Sequence, residues 1–210
     1  MNERNYAKEL KALIGELEKT GKRPTLLLHA CCAPCSSYVL EYLSQYFDIT
    51  LFFYNPNISP EKEFLYRLSE LERFVGEVEY KIPIISPEYN ANEFFSRVKG
   101  MESLSEGGER CKVCYELRLR RTAEAAAKGY DYFTTTLSIS PYKNAKWLNE
   151  IGEKLSGEYG VKYLFSDFKK DNGYKRSIEL SREYGLYRQD YCGCVYSEAE
   201  KLLREKQVER

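Results

Sequence analysis

Short apolar segments alternate with amphipathic segments along most of this chain, and the alternation restricts the fold strongly. Apolar residues at helical spacing predict seven helices: Asn5–Lys19, Ser36–Tyr46, one that opens at Ser59–Glu61, Glu109–Ala127, Tyr142–Leu155, Ser177–Tyr184 and Ser197–Lys206. Short apolar runs predict five strands between them: Thr25–His29, Ile49–Tyr54, Lys81–Ile85, Tyr130–Thr136 and Lys162–Phe165. Strands that alternate with helices in this way predict a doubly wound, mostly parallel, Rossmann-like α/β sheet.

The length and the ends of the chain predict a simple organisation. We expect one α/β domain over residues 1–210, with an N-terminal helix and a C-terminal helical segment. The stretch from Met1 to Tyr6 is charged and lacks the apolar core of a signal peptide, and no run approaches the roughly 20 apolar residues of a membrane span. The sequence therefore favours a cytoplasmic protein without a membrane partner.

The seven cysteines fall into three short clusters rather than being scattered. An odd number of cysteines in a chain this long argues against a disulfide scaffold. Clusters with CC, CxxC and CxC spacing instead place several sulfurs within reach of one point, as metal or redox chemistry requires. They are Cys31-Cys32-Ala33-Pro34-Cys35, Cys111-Lys112-Val113-Cys114 and Cys192-Gly193-Cys194.

The first cluster follows the first predicted strand and opens a helix. Ligands of doubly wound sheets bind at the carboxyl ends of the strands, so we expect the cysteine motifs at that edge. The dipole of the helix N-terminus favours anionic sulfur, so these thiols should ionise more easily than free cysteine. His29, the single histidine, is more consistent with a hydrogen-bonded residue at a strand end than with a metal ligand.

The other two clusters suggest different roles. The CxxC pair Cys111 and Cys114 is typical of ligands to zinc or to an iron–sulfur cluster. The CxC pair Cys192 and Cys194 can close a strained, easily reduced disulfide ring, which favours redox chemistry. No GxGxxG motif and no Walker loop is present, and one histidine is too few for multi-histidine zinc sites.

Two other functional classes fit parts of the pattern. Cys32-Ala33-Pro34-Cys35 is also typical of a thioredoxin-like thiol–disulfide oxidoreductase, a fold that has antiparallel edge strands. A zinc-stapled tRNA- or protein-binding module would use the cysteines as structural ligands.

Four longer motifs follow one another along the chain: His29-Ala-Cys-Cys-Ala-Pro-Cys-Ser36, Glu109-Arg-Cys-x-x-Cys-Tyr115, Thr136-Leu-Ser-Ile-Ser-Pro-Tyr-Lys143 and Tyr187-Arg-Gln-Asp-Tyr-Cys-Gly-Cys194. Together they resemble the QueH-type epoxyqueuosine reductases. The similarity runs from about Pro24 to Tyr196 in the same motif order.

The resemblance implies removal of the epoxide oxygen of epoxyqueuosine at the tRNA wobble position. In that family the reaction uses a four-iron four-sulfur (4Fe-4S) cluster and no cobalamin, with an external electron donor. Carried over, the cluster ligands are Cys31, Cys32, Cys111 and Cys114, and Cys192 with Cys194 is the redox-active pair.

An acid must protonate the leaving oxygen, and Asp190, Tyr191 and Tyr142 are the candidates. For Asp190 a structural role in the loop is equally consistent with the sequence. Cys35 is an alternative ligand to Cys31, and Cys31 or Cys35 with the CxC pair is an alternative site for a second metal ion.

A tRNA partner requires local positive charge, because the net charge of the whole chain is zero. Basic residues exceed acidic ones in two segments, Arg110–Lys128 and Lys162–Arg188, although solvated helix faces explain such runs equally well. We expect phosphate contacts from Arg118 and Arg121, which lie three apart on one helix, and from Lys169, Lys170, Lys175 and Arg176.

Overall fold

The computed structural model describes residues 4–208, so Met1–Glu3 and residues 209–210 of the predicted domain lie outside the described part. Five strands form one sheet in the order β3-β2-β1-β4-β5, and all four neighbouring pairs are parallel. The strands are β1 (Thr25–His29), β2 (Asp48–Phe52), β3 (Ile84–Ile85), β4 (Tyr132–Thr135) and β5 (Lys162–Tyr163).

This sheet confirms the predicted fold class. The antiparallel edge strands that a thioredoxin-like fold requires are absent from the sheet of residues 4–208. No helix in that range is both long and apolar enough to cross a membrane.

Helices cover both faces of the sheet. They are α1 (Tyr6–Thr20), α2 (Ala33–Leu43), α3 (Glu61–Glu77), α4 (Ala91–Val98), α5 (Glu109–Ala126), α6 (Ala145–Tyr159), α7 (Gly173–Glu183) and α8 (Val195–Val208).

Alternate residues of β1 divide the core in two, as period-two side chains of a fully buried strand must. Leu26 and Leu28 pack with apolar residues of α1, α2 and α3, whereas Leu27 packs with those of α4, α5 and α6.

The order of the strands positions the site. The chain runs outward from β1 through β2 to β3, then returns to the other side of β1 for β4 and β5. The direction therefore reverses between β1 and β4, where ligands of doubly wound sheets bind. The first cysteine cluster follows β1, and a short 3-10 turn over Thr136–Ile139 follows β4. The Sγ of Cys31 lies 3.7 Å from the hydroxyl oxygen of Thr136, so both segments meet at this point.

Candidate metal and thiol site

The first cysteine cluster is compact enough to hold one metal ion. The sulfurs of Cys31, Cys32 and Cys35 all lie within 4.8 Å of one another, and those of Cys31 and Cys32 are 3.7 Å apart. Cys32 is the N-cap of α2 and Pro34 occupies its first turn, where a missing N–H costs nothing. Helix α2 therefore begins at Ala33 rather than at the predicted Ser36, and its first turn brings Cys35 back beside the other two sulfurs.

These three thiols do not ionise alike. Hydrogen bonds from Cys31 and Cys35 hold the pKa of Cys32 well below its ordinary value. Conversely, hydrogen bonding to Cys32 raises the pKa of Cys31 to about 11, and bonding to Cys31 and Cys32 raises the pKa of Cys35. Two neighbouring S–H groups stabilise one buried thiolate, and that thiolate opposes a second charge. The cluster therefore favours one thiolate, carried by Cys32, and opposes ionisation of all three thiols together.

His29 is a hydrogen-bonded residue at the end of β1, as predicted. Its Nε2 lies 3.1 Å from the carbonyl oxygen of Tyr54 and its Nδ1 lies 2.8 Å from the hydroxyl of Thr135. A carbonyl only accepts, so Nε2 donates to it and Nδ1 accepts from Thr135. Burial, with the nearby Arg118 cation, lowers the pKa of His29 to about 4. The ring is therefore neutral, and neither nitrogen is available to a metal.

The CxxC cluster lies in the first two turns of α5. Cys111 and Cys114 are both buried, and the backbone N–H of Gly107 donates to the Sγ of Cys111 over 3.3 Å. Burial raises the pKa of Cys114 to about 11 and also raises that of Cys111. Both belong to the apolar cluster that contains Cys194 and against which Cys31 packs. At least one cysteine of each motif thus lies in or against the apolar cluster on the α5 side of the sheet, whereas Cys35 packs against the cluster on the other side.

The loop of the CxC cluster is held from several sides. The Cys192 N–H donates to the hydroxyl of Ser197 over 2.9 Å, and Arg67 donates to the Cys192 carbonyl over 3.1 Å. The N–H of Ser59 donates to the Gly193 carbonyl over 2.9 Å. Gly193 has φ +110°, and an added Cβ there would lie 2.9 Å from the guanidinium of Arg67. Only glycine fits this position of the loop.

Lys143 is a site residue to which the sequence analysis gave no role. Its ammonium lies 3.0 Å from the Sγ of Cys192 and 3.4 Å from a carboxylate oxygen of Glu106. Burial is the largest single influence and lowers the pKa of Lys143, but Cys192, Tyr115 and Glu106 together raise it well above its ordinary value. Glu106 also accepts from the hydroxyl of Ser197, which accepts from the Cys192 N–H, and the Ser197 N–H donates to the Sγ of Cys194, so this chain of contacts joins the lysine to both cysteines. The only sequence signal was the motif that ends at Lys143.

Arg118 does not lie on a tRNA-facing surface, so that expectation is wrong. Its side chain is 1% exposed, whereas Arg121 lies on the outside of α5 and pairs with Glu124 at 2.9 Å. Residues three apart usually share a helix face, but the deep packing of α5 on β1 and β4 separates these two. Burial opposes the charge of Arg118, yet the sulfurs of Cys114, Cys192 and Cys31 raise its pKa. Its Nε also donates to the carbonyl of Cys114 over 3.3 Å, so Arg118 lies beside the CxxC motif.

The three predicted acids have different surroundings. Asp190 pairs with Lys201 at 2.7 Å, and this hydrogen bond lowers the pKa of its carboxyl. The Tyr191 ring lies beneath the guanidinium of Arg67, 5.2 Å from its centroid. Tyr142 is 78% exposed. Of the two candidates beside the CxC motif, Asp190 is thus held in an ion pair directed toward α8.

Much of the predicted basic charge is neutralised within the chain. Arg110 is buried and pairs with Glu200, and Arg120 pairs with Glu116 and Glu158. In the second segment, Lys169 pairs with Asp167, and Arg176 donates twice to Glu41.

Because of these ion pairs, a count of basic residues in the sequence overestimates the positive charge that is free to bind phosphate. Lys170 and Lys175 are exposed and make no ion pair within residues 4–208. They are the residues of the predicted phosphate-binding set that remain available in this segment.

The donors present fit a sulfur-ligated metal centre. Three thiol sulfurs lie within 4.8 Å, and the CxxC pair joins the same apolar cluster. Thiolate sulfur is the ligand that zinc and iron–sulfur clusters prefer. In addition, the Nη2 atoms of Arg67 and Arg118 are buried without a hydrogen-bond partner, which is the surrounding an anionic group would satisfy. All seven cysteines are free thiols.

Comparison with known proteins agrees with this site. The family model "Epoxyqueuosine reductase QueH" matches residues 26–200. The epoxyqueuosine reductase QueH of Staphylococcus epidermidis is 45% identical, covering 98% of this chain and 90% of that protein. The proteins of the same name from Streptococcus pyogenes and Thermotoga maritima are 46% and 39% identical, over 92% and 89% of this chain and 78% and 96% of their own lengths. The chain therefore belongs to the epoxyqueuosine reductase QueH family.

Proposed function

We propose that this protein is an epoxyqueuosine reductase that removes the epoxide oxygen of epoxyqueuosine at the tRNA wobble position. The reaction breaks both carbon–oxygen bonds of the epoxide, consumes two electrons and two protons, and yields a cyclopentene ring and water. The observation that carries the proposal is a chain of this family in which all three cysteine motifs contribute to or pack against one apolar cluster.

The cofactor in this proposal is a 4Fe-4S cluster held by Cys31, Cys32, Cys111 and Cys114, without cobalamin. Such a cluster supplies one electron at a time at low potential. Cys35 lies as close to Cys32 as a ligand must, so it is the alternative to Cys31. Cys31 or Cys35 with the CxC pair is the alternative site for a second metal ion.

Other residues of the chain transfer electrons and stabilise charge in this proposal. Cys192 and Cys194 form the redox-active pair, which takes up electrons from an external donor and can hold two of them. The ammonium of Lys143 donates a hydrogen bond to the sulfur of Cys192, so it can stabilise negative charge on that sulfur when the pair is reduced.

The acid for the leaving oxygen is a separate assignment. Asp190 stays a candidate, although it must first leave Lys201 and take up a proton. The substrate is a tRNA, and the reduced thiols suit a cytoplasmic location.

The cluster assignment is tested with serine variants. We predict that Cys111→Ser or Cys114→Ser abolishes the cluster, because a hydroxyl oxygen is a poor ligand for this soft site. Iron and acid-labile sulfide are measured after anaerobic reconstitution. Cys192→Ser is the matched control, since it makes the same atomic change in the same site and should retain the iron.

Turnover completes the test. With dithionite as donor, the wild type should convert epoxyqueuosine tRNA to queuosine tRNA, seen by mass spectrometry of the nucleosides, and Cys192→Ser should retain its brown colour but lose turnover. Retention of all iron in both α5 variants would remove Cys111 and Cys114 from the ligand set. Zinc in place of iron in the wild type would favour the zinc-stapled module instead.

A further inference from the structure

Arg118 is a buried cation without a buried anion beside it. Three arginines are almost completely buried among residues 4–208: Arg67, Arg110 and Arg118, at 2%, 2% and 1% exposure. Arg67 pairs with Glu63 at 2.7 Å, and Arg110 pairs with Glu200 at 3.2 Å. Arg118 makes no ion pair with any described residue. Arg118 thus lacks the ion pair with a carboxylate that normally accompanies a buried arginine.

The contacts that Arg118 does make are weak. Its Nε donates to the Cys114 carbonyl over 3.3 Å, its guanidinium lies 5.8 Å from the Tyr115 ring centroid, and its Nη2 has no partner. An unpaired buried charge costs several kcal/mol, roughly, even after relaxation of the surroundings. One carbonyl contact does not offset that cost. The surroundings of Arg118 are therefore incomplete without a further negative charge.

The location identifies what that charge is. Arg118 lies one turn beyond Cys114 on α5, and its Nε donates to the Cys114 carbonyl. Cys114 shares an apolar cluster with Cys111 and Cys194, and Cys31 packs against that cluster. All seven cysteines are free thiols, and no carboxylate of residues 4–208 pairs with Arg118. Metal binding deprotonates such thiols and leaves the thiolate-ligated centre with negative charge.

We propose that Arg118 is the buried counter-charge of the iron–sulfur cluster, with the guanidinium stabilising the negative charge that the ligated cluster carries and that reduction increases. This inference rests on the proposed function, because it requires a cluster at the three motifs. The ligand class is an anionic metal–sulfur centre. Arg118 acts on it through charge and is not one of its ligands.

Removal of the Arg118 charge should have different effects in the loaded protein and in the metal-free protein. In the loaded protein, removal of the positive charge should make the cluster harder to reduce, since reduction adds negative charge at the same place. In the metal-free protein, removal should not lower stability, because replacing an uncompensated buried ion by an apolar side chain of similar length is neutral or stabilising. A merely structural arginine would behave in the opposite way, with a stability loss in the metal-free protein and no change in potential.

The experiment uses Arg118→Met, with Arg118→Lys to keep the charge. Arg121→Met is the matched control, because it removes the same charge from the same helix at an exposed position. Redox titration of the reconstituted cluster, followed by electron paramagnetic resonance, should give a potential in Arg118→Met about 59 mV or more below wild type, a tenfold change in the one-electron equilibrium. Arg118→Lys and Arg121→Met should stay near wild type. Urea unfolding of metal-free Arg118→Met should show no lower midpoint than wild type.

Each other outcome has a definite reading. Failure of Arg118→Met to load iron, with normal loading of Arg118→Lys and Arg121→Met, supports the proposal. An unchanged potential in Arg118→Met, or equal loss of iron from the Lys and Met variants, overturns it while the proposed function stands. A wild-type protein that takes up no iron and sulfide overturns the cluster assignment and this inference together.

Discussion

The ammonium of Lys143 distinguishes the two sulfurs of the CxC pair. Cys192 is partly exposed and lies 3.0 Å from Lys143, whereas Cys194 is buried and accepts only a backbone N–H, from Ser197 at 3.4 Å. Burial raises the pKa of Cys194 to about 12. A cation in contact with a sulfur favours negative charge on it, so Cys192 is the more nucleophilic member of the pair.

We predict that Lys143→Met slows alkylation of Cys192 by iodoacetamide in the metal-free protein. About a tenfold effect is expected, since a hydrogen bond to a charged group contributes about 1.5 kcal/mol at the low end of its range. The modified site is quantified by peptide mass spectrometry. Lys146→Met, which removes an exposed lysine that pairs with Glu150, should leave the rate unchanged. Equal rates in wild type and Lys143→Met would mean that the ammonium does not activate this sulfur.

Among single residues, the sequence indicated the cysteines but not the residues that contact them. Local spacing revealed the cysteines because each motif is complete within a few residues. Lys143 and Arg67 contact the CxC loop from positions 49 and 125 residues away, respectively. Such contacts depend on the three-dimensional fold. Arg118 was assigned to the surface because helical spacing places residues on faces without saying which face is buried.

Among the elements, α6 and β5 show how tightly the layers are packed. Gly152 lies on the buried side of α6, where an added Cβ would come within 2.4 Å of the Tyr163 ring of β5. Tyr163 is itself buried and contacts the rings of Phe133 and Phe165. The ring therefore has little room to move, and Gly152 permits the close approach of helix and strand.

We predict that Gly152→Ala destabilises the protein by about 1–3 kcal/mol, the usual effect of overpacking a core. Gly157→Ala makes the same change in the same helix, but nothing lies within 4 Å of the added Cβ. It should stabilise by about 0.5–1 kcal/mol, because alanine loses less conformational freedom than glycine in a helix. Urea unfolding followed by circular dichroism measures both. If both variants were more stable than wild type, the Tyr163 ring would have moved to accommodate the Cβ at position 152.

The central strand of the sheet was predicted better than its two edge strands. Strand β1 has the predicted bounds, but β3 and β5 each keep only two of their predicted residues, because an edge strand pairs on one side only. Helix α4 (Ala91–Val98) was not predicted, although its cap Asn90 and the apolar pair Phe94 and Val98 were usable signals. Helix α7 begins at Gly173, four residues before the predicted start.

For the molecule as a whole, binding of tRNA phosphates depends more on where unpaired positive charges lie than on the net charge. Basic and acidic residues are equal in number, and most arginines of the two basic segments are held by carboxylates. A phosphate can compete with such a pair only by displacing it, so these residues contribute less to binding than free lysines. The loop after β5 and the start of α7 carry Lys170 and Lys175, which have no such partner among residues 4–208.

If a tRNA lies across this loop, Lys170→Gln with Lys175→Gln should weaken its binding. The dependence of log affinity on log salt should become shallower by about one unit for each lost phosphate contact, because each contact releases counterions when it forms. Arg176→Gln is the matched control: its guanidinium is held by two hydrogen bonds to Glu41, at 3.0 and 2.6 Å, so the salt dependence should stay that of wild type. Binding is measured by fluorescence anisotropy of labelled tRNA at several salt concentrations, with the iron content of each variant checked. A double variant with wild-type affinity and slope would place the tRNA on another surface, and a larger effect of Arg176→Gln would mean that Glu41 releases the arginine to the phosphate.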